Sequence, residues 1–198
     1  MDRDSIKRLE GEKISELLVG LCCSQGGREL AAELYPSPDK EVVRAWLAET
    51  SEAREVWRLH PEVPLRGFAD IRRHLDRALA GSWLEPVELW EIKEVLEIAR
   101  RLKDFFSRQA PRYPMLSSRA EGLSDLREIE EAIEQAVSPE GEVLDHASPR
   151  LLHVRQNLEG AREGARRTME SIIRSPQYSR MLQEPIVTIR SGRYVVPV

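Results

Sequence analysis

The sequence predicts a mainly α-helical protein: a helical core bundle, then a long coiled-coil helix, then a short terminal β-hairpin. Charged residues make up 32% of the 198 residues and aromatic residues only 6%, a composition typical of solvated helices with narrow apolar stripes. Apolar residues recur at helical spacing along most of the chain. The exception is residues 184–198, a run rich in β-branched residues. The 41% hydrophobic content allows one core of good size or two small ones.

The first two helices are predicted from their apolar stripes and start signals. Residues at helical spacing before the Gly26-Gly27 break form the first stripe: Leu9, Ile14, Leu17, Leu18 and Leu21. Cys22 and Cys23 follow it, and we expect buried small hydrophobic residues there rather than a disulfide or a metal pair. Ser37 as N-cap and Pro38 as first residue predict the start of the next helix. Its predicted buried face is Val43, Trp46, Leu47, Thr50, Ala53 and Trp57.

Three more helices are predicted before residue 140. A short one runs from about Asp70 to Leu79, and a longer one opens at Glu85-Pro86 and is broken by Pro111 and Pro114. Ser124 is predicted to begin the last. The apolar stripe of the long helix is Leu89, Ile92, Leu96, Ala99, Lys103 and Phe106, and that of the last is Leu126, Ile129, Ile133 and Val137. Core-like positions are also assigned to the four tryptophans, Trp46, Trp57, Trp83 and Trp90.

Charge and histidine patterns argue against a metal centre. Residues 121–142 contain eight acidic residues and a single basic residue, Arg127. Glu130 and Glu134 lie four residues apart and could hold a divalent cation, but no histidine or third ligand accompanies them, so a wet helix face is the favoured interpretation. The histidines are also not spaced as metal ligands usually are. We interpret all four as polar surface or cap residues: His60, His74, His146 and His153.

The most regular segment begins at Ser148-Pro149 and predicts a coiled-coil seam. Its apolar and small residues alternate by three and four: Leu151, Val154, Leu158, Ala161, Ala165, Thr168 and Ile172. No other stretch has a matching heptad, so we expect the partner helix to be sequence beyond this chain or a second copy. The outer surface of the segment is basic, with seven arginines against three glutamates. Those arginines are Arg150, Arg155, Arg162, Arg166, Arg167, Arg174 and Arg180.

The last residues predict a β-hairpin. Residues 186–190 and 193–196 flank Ser191-Gly192, and a two-residue spacer with glycine suits a primed turn because glycine tolerates positive φ. Two strands alone are marginally stable, and Val195, Val196 and Val198 would have no further sheet to join. We therefore expect this chain to be a fragment of a larger protein.

Four stretches carry a family resemblance. They are LLVGLCCSQGGRELAAELYPSPD, EVVRAWLAETSEAREV, GEVLDHASPRL and EPIVTIRSGRYVVPV. In this order they resemble the amino-terminal region of the MutS-like recombination suppressors, the branch of MutS often called MutS-two. The resemblance implies a core domain over residues 1–146, an outgoing lever helix over 147–183, and the first strands of a truncated clamp domain over 184–198.

The resemblance also implies what the whole protein does. Members bind branched DNA without sequence specificity, hydrolyse ATP with Mg as a dimer, suppress homologous recombination and often carry a terminal endonuclease domain. Some also split collided ribosomes, so ribosomal RNA is a second expected partner. The return lever helix would be the missing partner of the seam. This chain has no G-x-x-x-x-G-K-[ST] loop and no visible nuclease motif, so we expect no cofactor and no catalytic residue in it.

Five arginines are the candidate nucleic-acid contacts: Arg190, Arg193, Arg174, Arg167 and Arg166. The first two flank the hairpin turn, where a clamp tip can approach phosphates without reading bases; solvation of an exposed ribbon explains them equally well. For the three helix arginines a solvated coiled-coil flank is the favoured interpretation, and for Tyr194 strand packing is favoured over base stacking. The net charge of −4 excludes a surface that is basic throughout.

Two functions of different classes remain open at the sequence level. One is a non-catalytic core and lever part of a DNA-binding ATPase; the other is a helical protein-interaction or dimerisation module with no nucleic-acid binding of its own. With neither a signal peptide nor a membrane span recognisable, we expect a cytoplasmic protein.

Overall fold

A computed structural model describes residues 8–64, 67–178, 181–190 and 192–197. Arg180 of the predicted basic flank and the terminal Val198 lie outside these ranges. The chain divides into two compact units, Met1–Val143 and Leu144–Val198. Within the described residues the structure is made of eight α-helices, one 3-10 turn and one two-stranded antiparallel hairpin. The predicted mainly α-helical class with a hairpin at the end is confirmed.

The helices of the first unit are α1 (Gly11–Leu21), α2 (Gln25–Ala32), α3 (Lys40–Leu59), α4 (Arg72–Leu79), α5 (Pro86–Gln109), α6 (Pro114–Glu121) and α7 (Arg127–Ala136). In the second unit a 3-10 turn (Asp145–Ala147) precedes α8 (Pro149–Arg174). The hairpin pairs β1 (Thr188–Arg190) with β2 (Arg193–Val195). α8 ends before residue 183, where the expected lever segment ends, because Ser175 is extended and Pro176 follows it.

Local start signals decide where most helices begin. The hydroxyl of Ser148 accepts the Leu151 N–H at 3.1 Å and Pro149 is the first residue of α8, as predicted. The prediction for α3 was wrong by two residues. Its cap is Asp39, whose carboxylate accepts the N–H groups of the first turn, while Ser37 accepts the Asp39 N–H at 3.2 Å and shapes the preceding turn.

Helix α6 was missed by the sequence analysis. The sequence analysis interprets Pro114 only as a residue that ends the long helix, but it is also the first residue of α6. At this position a backbone N–H has no hydrogen-bond partner within the helix, so proline is tolerated. The next helix, α7, begins at Arg127 and not at Ser124. Asp125 accounts for this delay, because its carboxylate accepts the Arg127 N–H at 3.2 Å.

Two small apolar clusters form the core of the described part of the first unit. One contains Val56, Val63, Phe106, Tyr113 and Ala120 and lies between α3, α5 and α6. The other joins α5 to α7 through Ile92, Ile133 and Val137. Of the two arrangements that composition allows, the described residues show two small cores.

The predicted burial of the tryptophans and cysteines was largely wrong. Trp46 is 41%, Trp57 48% and Trp83 81% exposed, whereas Val56 on α3 is completely buried. Of the cysteines, Cys22 is half-buried and Cys23 is exposed.

The acidic edge of α3 explains which face is buried. Glu52 accepts the N–H groups of Met115 at 3.2 Å and Leu116 at 3.0 Å, at the start of α6. Glu49 pairs with Arg119, and Glu55 with Arg112. These contacts rotate α3 so that its carboxylates and Val56 face α6, and the tryptophan edge is left outside.

The residues of the acidic segment, 121–142, are not all exposed to solvent. Glu130 is only 4% exposed and is held by Arg100 of α5. Leu126 and Ile129, predicted to be inside, are 40% and 48% exposed. None of the helices in the described part of the chain has the combination of length and hydropathy that crossing a membrane requires.

Candidate nucleic-acid interface and partner-helix seam

Helix α8 presents its heptad seam to solvent. No residue of α8 is buried. Val154 is 52% and Leu158 48% exposed, and only the two ends of the seam, Leu151 and Ile172, are half-buried. The seam is therefore uncovered within the part of the chain that the structure describes, and its partner remains a prediction.

The hairpin register places two arginines opposite each other. Thr188 pairs with Val195, Ile189 with Tyr194, and Arg190 with Arg193. The two-residue connection is consistent with the predicted turn, since Gly192 has φ 72°; its neighbour Ser191 lies outside the described residues. Direct cross-strand neighbours have Cβ atoms roughly 5 Å apart, so the two guanidinium groups share one end of the ribbon.

Strand alternation separates the hairpin into two faces. Side chains of successive strand residues point to opposite faces, so Arg190 and Arg193 lie on one face while Ile189 and Tyr194 lie on the other. The cleft between the hairpin and α8 agrees with this assignment, because Ile189 and Tyr194 line it and the two tip arginines do not. The hairpin packs on α8 through β2.

The five candidate arginines therefore do not form one surface. Arg190 and Arg193 occupy the outer face of the hairpin, whereas Arg166 and Arg174 line the cleft on its inner face. Arg167 lies beside them on α8, and its Nε donates to the Glu163 carbonyl oxygen at 3.4 Å. Arg190 and Arg193 form a tip pair that is separate from the cleft.

The charges of these arginines are compensated to different degrees. Arg166 donates from Nε to the carboxylate of Glu170 at 3.0 Å, and this hydrogen bond raises the pKa of Arg166. By contrast, Arg174, Arg190 and Arg193 are exposed and form no ion pair with any described residue. Together with Arg167, which also forms no ion pair with a described residue, these three side chains carry the uncompensated positive charge of the second unit's candidate surface.

Titratable clusters elsewhere have structural partners. His74 is 16% exposed and its ring lies between Glu91 at 2.7 Å and Glu88 at 3.4 Å. His60 is the C-cap of α3 and packs edge-on against Phe105. Among the described residues no three His, Cys, Asp or Glu side chains lie together in a way that could hold a metal ion.

Sequence reasoning missed the cleft. Tyr194 was predicted to pack within the hairpin, and Arg166 and Arg174 to lie on a solvated helix flank, because no local signal tells which face of the hairpin turns toward α8. Helical spacing alone does place Arg166, Ile173 and Arg174 on one side of α8.

The fold and this surface define a class: a helical scaffold with an uncovered long helix and a basic ribbon. Comparison with known proteins specifies it further. The chain is 41% identical over 198 residues to the Endonuclease MutS2 of Pelotomaculum thermopropionicum. It is 37% identical over 200 residues to that of Alkaliphilus oremlandii and 40% identical over 193 residues to that of a Geobacillus species. No protein-family model matches the chain.

These matches cover 96% to 100% of the chain and 25% of each relative. This chain belongs to the MutS2-like proteins, and it spans about a quarter of the length of the curated relatives it matches.

Proposed function

We propose that this chain is a non-catalytic scaffold of a MutS2-like protein and that its hairpin contacts the phosphate backbone of nucleic acid. The observation that carries the proposal is the direct cross-strand pairing of Arg190 with Arg193. Like charges placed directly opposite each other in a hairpin are destabilising, and no described carboxylate compensates them. A phosphate between the two guanidinium groups would convert this repulsion into two charge-assisted hydrogen bonds.

The contact we propose is indifferent to sequence. The tip pair belongs to a three-residue strand on each side, too short to present a row of side chains to the bases of a groove. Phosphate contacts position a protein on nucleic acid, whereas base contacts specify the sequence. We therefore expect weak, salt-sensitive binding by the isolated chain.

For the whole MutS2-like protein we propose binding of branched DNA by a homodimer, ATP hydrolysis with Mg, strand cleavage and suppression of homologous recombination. The relatives' name, Endonuclease MutS2, supports the cleavage activity. Splitting of collided ribosomes through ribosomal RNA is the competing use of the same scaffold. Affinity of the 198-residue chain for a four-way DNA junction, compared with a ribosomal RNA stem-loop of equal length, separates the two uses.

The test of the phosphate contact is a salt series with the double variant Arg190→Ala/Arg193→Ala. For each phosphate that the variant no longer neutralises, the slope of log affinity against log salt should fall by about 0.9 on duplex DNA. The matched control is Arg54→Ala/Arg58→Ala, which removes two exposed arginines of α3. Equal slopes for the tip variant, the control and the unchanged chain would refute the proposal.

One observation favours a second function. The exposed seam residues Val154 and Leu158 suit a protein-interaction or dimerisation module that docks a partner helix. Absence of nucleic-acid binding even at low salt, together with concentration-dependent association that Leu158→Glu abolishes, would favour this module over the nucleic-acid scaffold.

A further inference from the structure

We infer that the cleft between α8 and the hairpin receives one unpaired nucleotide, with its base against Tyr194 and Ile189 and its phosphate on Arg174. This inference rests on the proposed function, because it assumes that nucleic acid reaches the hairpin. It adds a second contact on the opposite face of the ribbon and a preference for unpaired over paired nucleotides.

The cleft is large enough for a small ligand. Its volume is about 600 Å³, within the range of roughly 300–1,000 Å³ that ligand sites occupy. One wall is apolar and comes from the segment before β1 and from the hairpin: Pro185, Ile186, Val187, Ile189 and Tyr194. The other wall is the side of α8 that carries Ile173 between the charged residues.

The charges of the cleft leave one cation available. Glu170 also lines it, but its carboxylate is held by Arg166 at 3.0 Å, so these two charges compensate each other. Arg174 is exposed at the last turn of α8 and has no ion-pair partner among the described residues. The cleft therefore presents a net positive charge beside an apolar surface, which matches the phosphate and the base of a nucleotide.

Tyr194 supplies the aromatic ring. It is half-buried, and its cross-strand neighbour Ile189 is 66% exposed. Aromatic side chains stack on bases of any sequence, with a contribution of about 1–3 kcal/mol per base. A base in a duplex cannot reach such a ring without leaving its stack. The cleft would therefore distinguish gaps, forks and single strands from continuous duplex.

The experiment compares Tyr194→Leu, Tyr194→Phe and Arg174→Gln in the 198-residue chain. The ligands are a continuous DNA duplex, the same duplex with a one-nucleotide gap, a single-stranded DNA and a single-stranded RNA of matched sequence. We expect Tyr194→Leu to lose at least about fivefold affinity for the gapped and single-stranded ligands, Tyr194→Phe to lose none, and duplex affinity to be unchanged in both.

The salt slope tests the phosphate separately. Arg174→Gln should reduce it by about 0.7 on single strands, and the DNA and RNA arms show which sugar the cleft accepts. A photoreactive thymidine at the gap should cross-link to Tyr194, with Tyr178, 43% exposed and outside the cleft, as the control tyrosine.

The outcomes separate the two proposals. Unchanged affinity for unpaired ligands in Tyr194→Leu and Arg174→Gln, with the salt slope still reduced in the tip variant, overturns this inference and leaves the proposed function standing. That result would also be expected if the cleft holds a protein segment. Absence of any nucleic-acid binding overturns both.

Discussion

The buried carboxylate of Glu130 accepts two hydrogen bonds from the guanidinium of Arg100, at 2.9 Å from Nε and 3.0 Å from Nη2. The two residues are thirty positions apart and join α7 to α5. Their exposures differ: the side chain of Glu130 is 5% exposed and that of Arg100 26%. The hydrogen bonds to Glu130 raise the pKa of Arg100. Through them Glu130, a residue of the acidic segment, connects α7 to α5.

Removing the arginine should destabilise the first unit more than neutralising the glutamate. Arg100→Met leaves a carboxylate buried without its partner, and we expect a loss of about 3 kcal/mol in the free energy of unfolding. Glu130→Gln leaves the half-exposed guanidinium to water and should have a smaller effect. Urea unfolding followed by circular dichroism measures both. The control Arg101→Met, on an exposed neighbour, should stay within about 0.5 kcal/mol; the reverse order of the first two variants would contradict the prediction.

Gly141 should tolerate alanine less well than other glycines with positive φ. A Cβ at Gly141 would lie 2.3 Å from Cγ2 of Val87, and its φ is 77°. At Gly81 φ is 75° but nothing lies within 4 Å. We expect Gly81→Ala to lose about 1–2 kcal/mol from backbone strain and Gly141→Ala about 1–3 kcal/mol more from the clash.

A double variant separates the two causes. Val87 is 53% exposed, so Val87→Ala alone should change stability little. In the Gly141→Ala/Val87→Ala variant the clash is removed and only the strain remains, so its stability should match that of Gly81→Ala. Thermal unfolding of the four variants compares their stabilities. If the double variant is no more stable than Gly141→Ala, the clash does not involve the Val87 side chain.

Asp70 should make stability depend on pH at the acidic end. Hydrogen bonds from the Arg72 side chain, and then from its backbone N–H, hold the pKa of Asp70 down at about 2, against a usual value of 3.8. Because the folded-state pKa is depressed, this stabilisation is present above pH 3.8 and is lost as the pH falls through about 2. The link matters because Arg72 also binds Glu29 of α2 through two hydrogen bonds of 2.8 Å.

The measurement compares melting temperatures of the unchanged chain and Asp70→Asn between pH 7 and pH 2. We expect the unchanged chain to be more stable at neutral pH and the difference to vanish by about pH 2. Asp125→Asn removes a carboxylate in the same position before α7 and serves as the control. A difference between the unchanged chain and Asp70→Asn that persists at pH 2 would mean that the amide itself disturbs the fold.

Seam residues and core residues should respond differently to truncation. Ile133 is 8% exposed, and Ile133→Ala should lose about 2–5 kcal/mol. Leu158 is 48% exposed, and Leu158→Ala should lose less than about 0.5 kcal/mol in this chain. Chemical unfolding monitored by helical circular dichroism compares the two. A loss at Leu158 as large as that at Ile133 would show that the seam is covered in the isolated chain.

The sequence by itself determined the features that depend on neighbours within one turn. Ser148 and Pro149 define the start of α8, Glu85 and Pro86 that of α5, and Gly192 allows the two-residue hairpin connection. Caps and tight turns bond groups two to four residues apart, so their partners are visible in the order of the residues. The family could be recognised for a related reason, because its most specific motif is one contiguous run at the end of the chain.

Tertiary structure alone decided which faces of these elements are covered. Trp46 and Val56 both belong to α3, and the difference in their burial follows from where α6 docks, about sixty residues later in the chain. Glu130 is buried because Arg100 reaches it, and Tyr194 faces a cleft because the hairpin folds back on α8. These outcomes depend on contacts between segments distant in sequence, and hydrophobic periodicity gives the spacing of a stripe but not the partner that covers it.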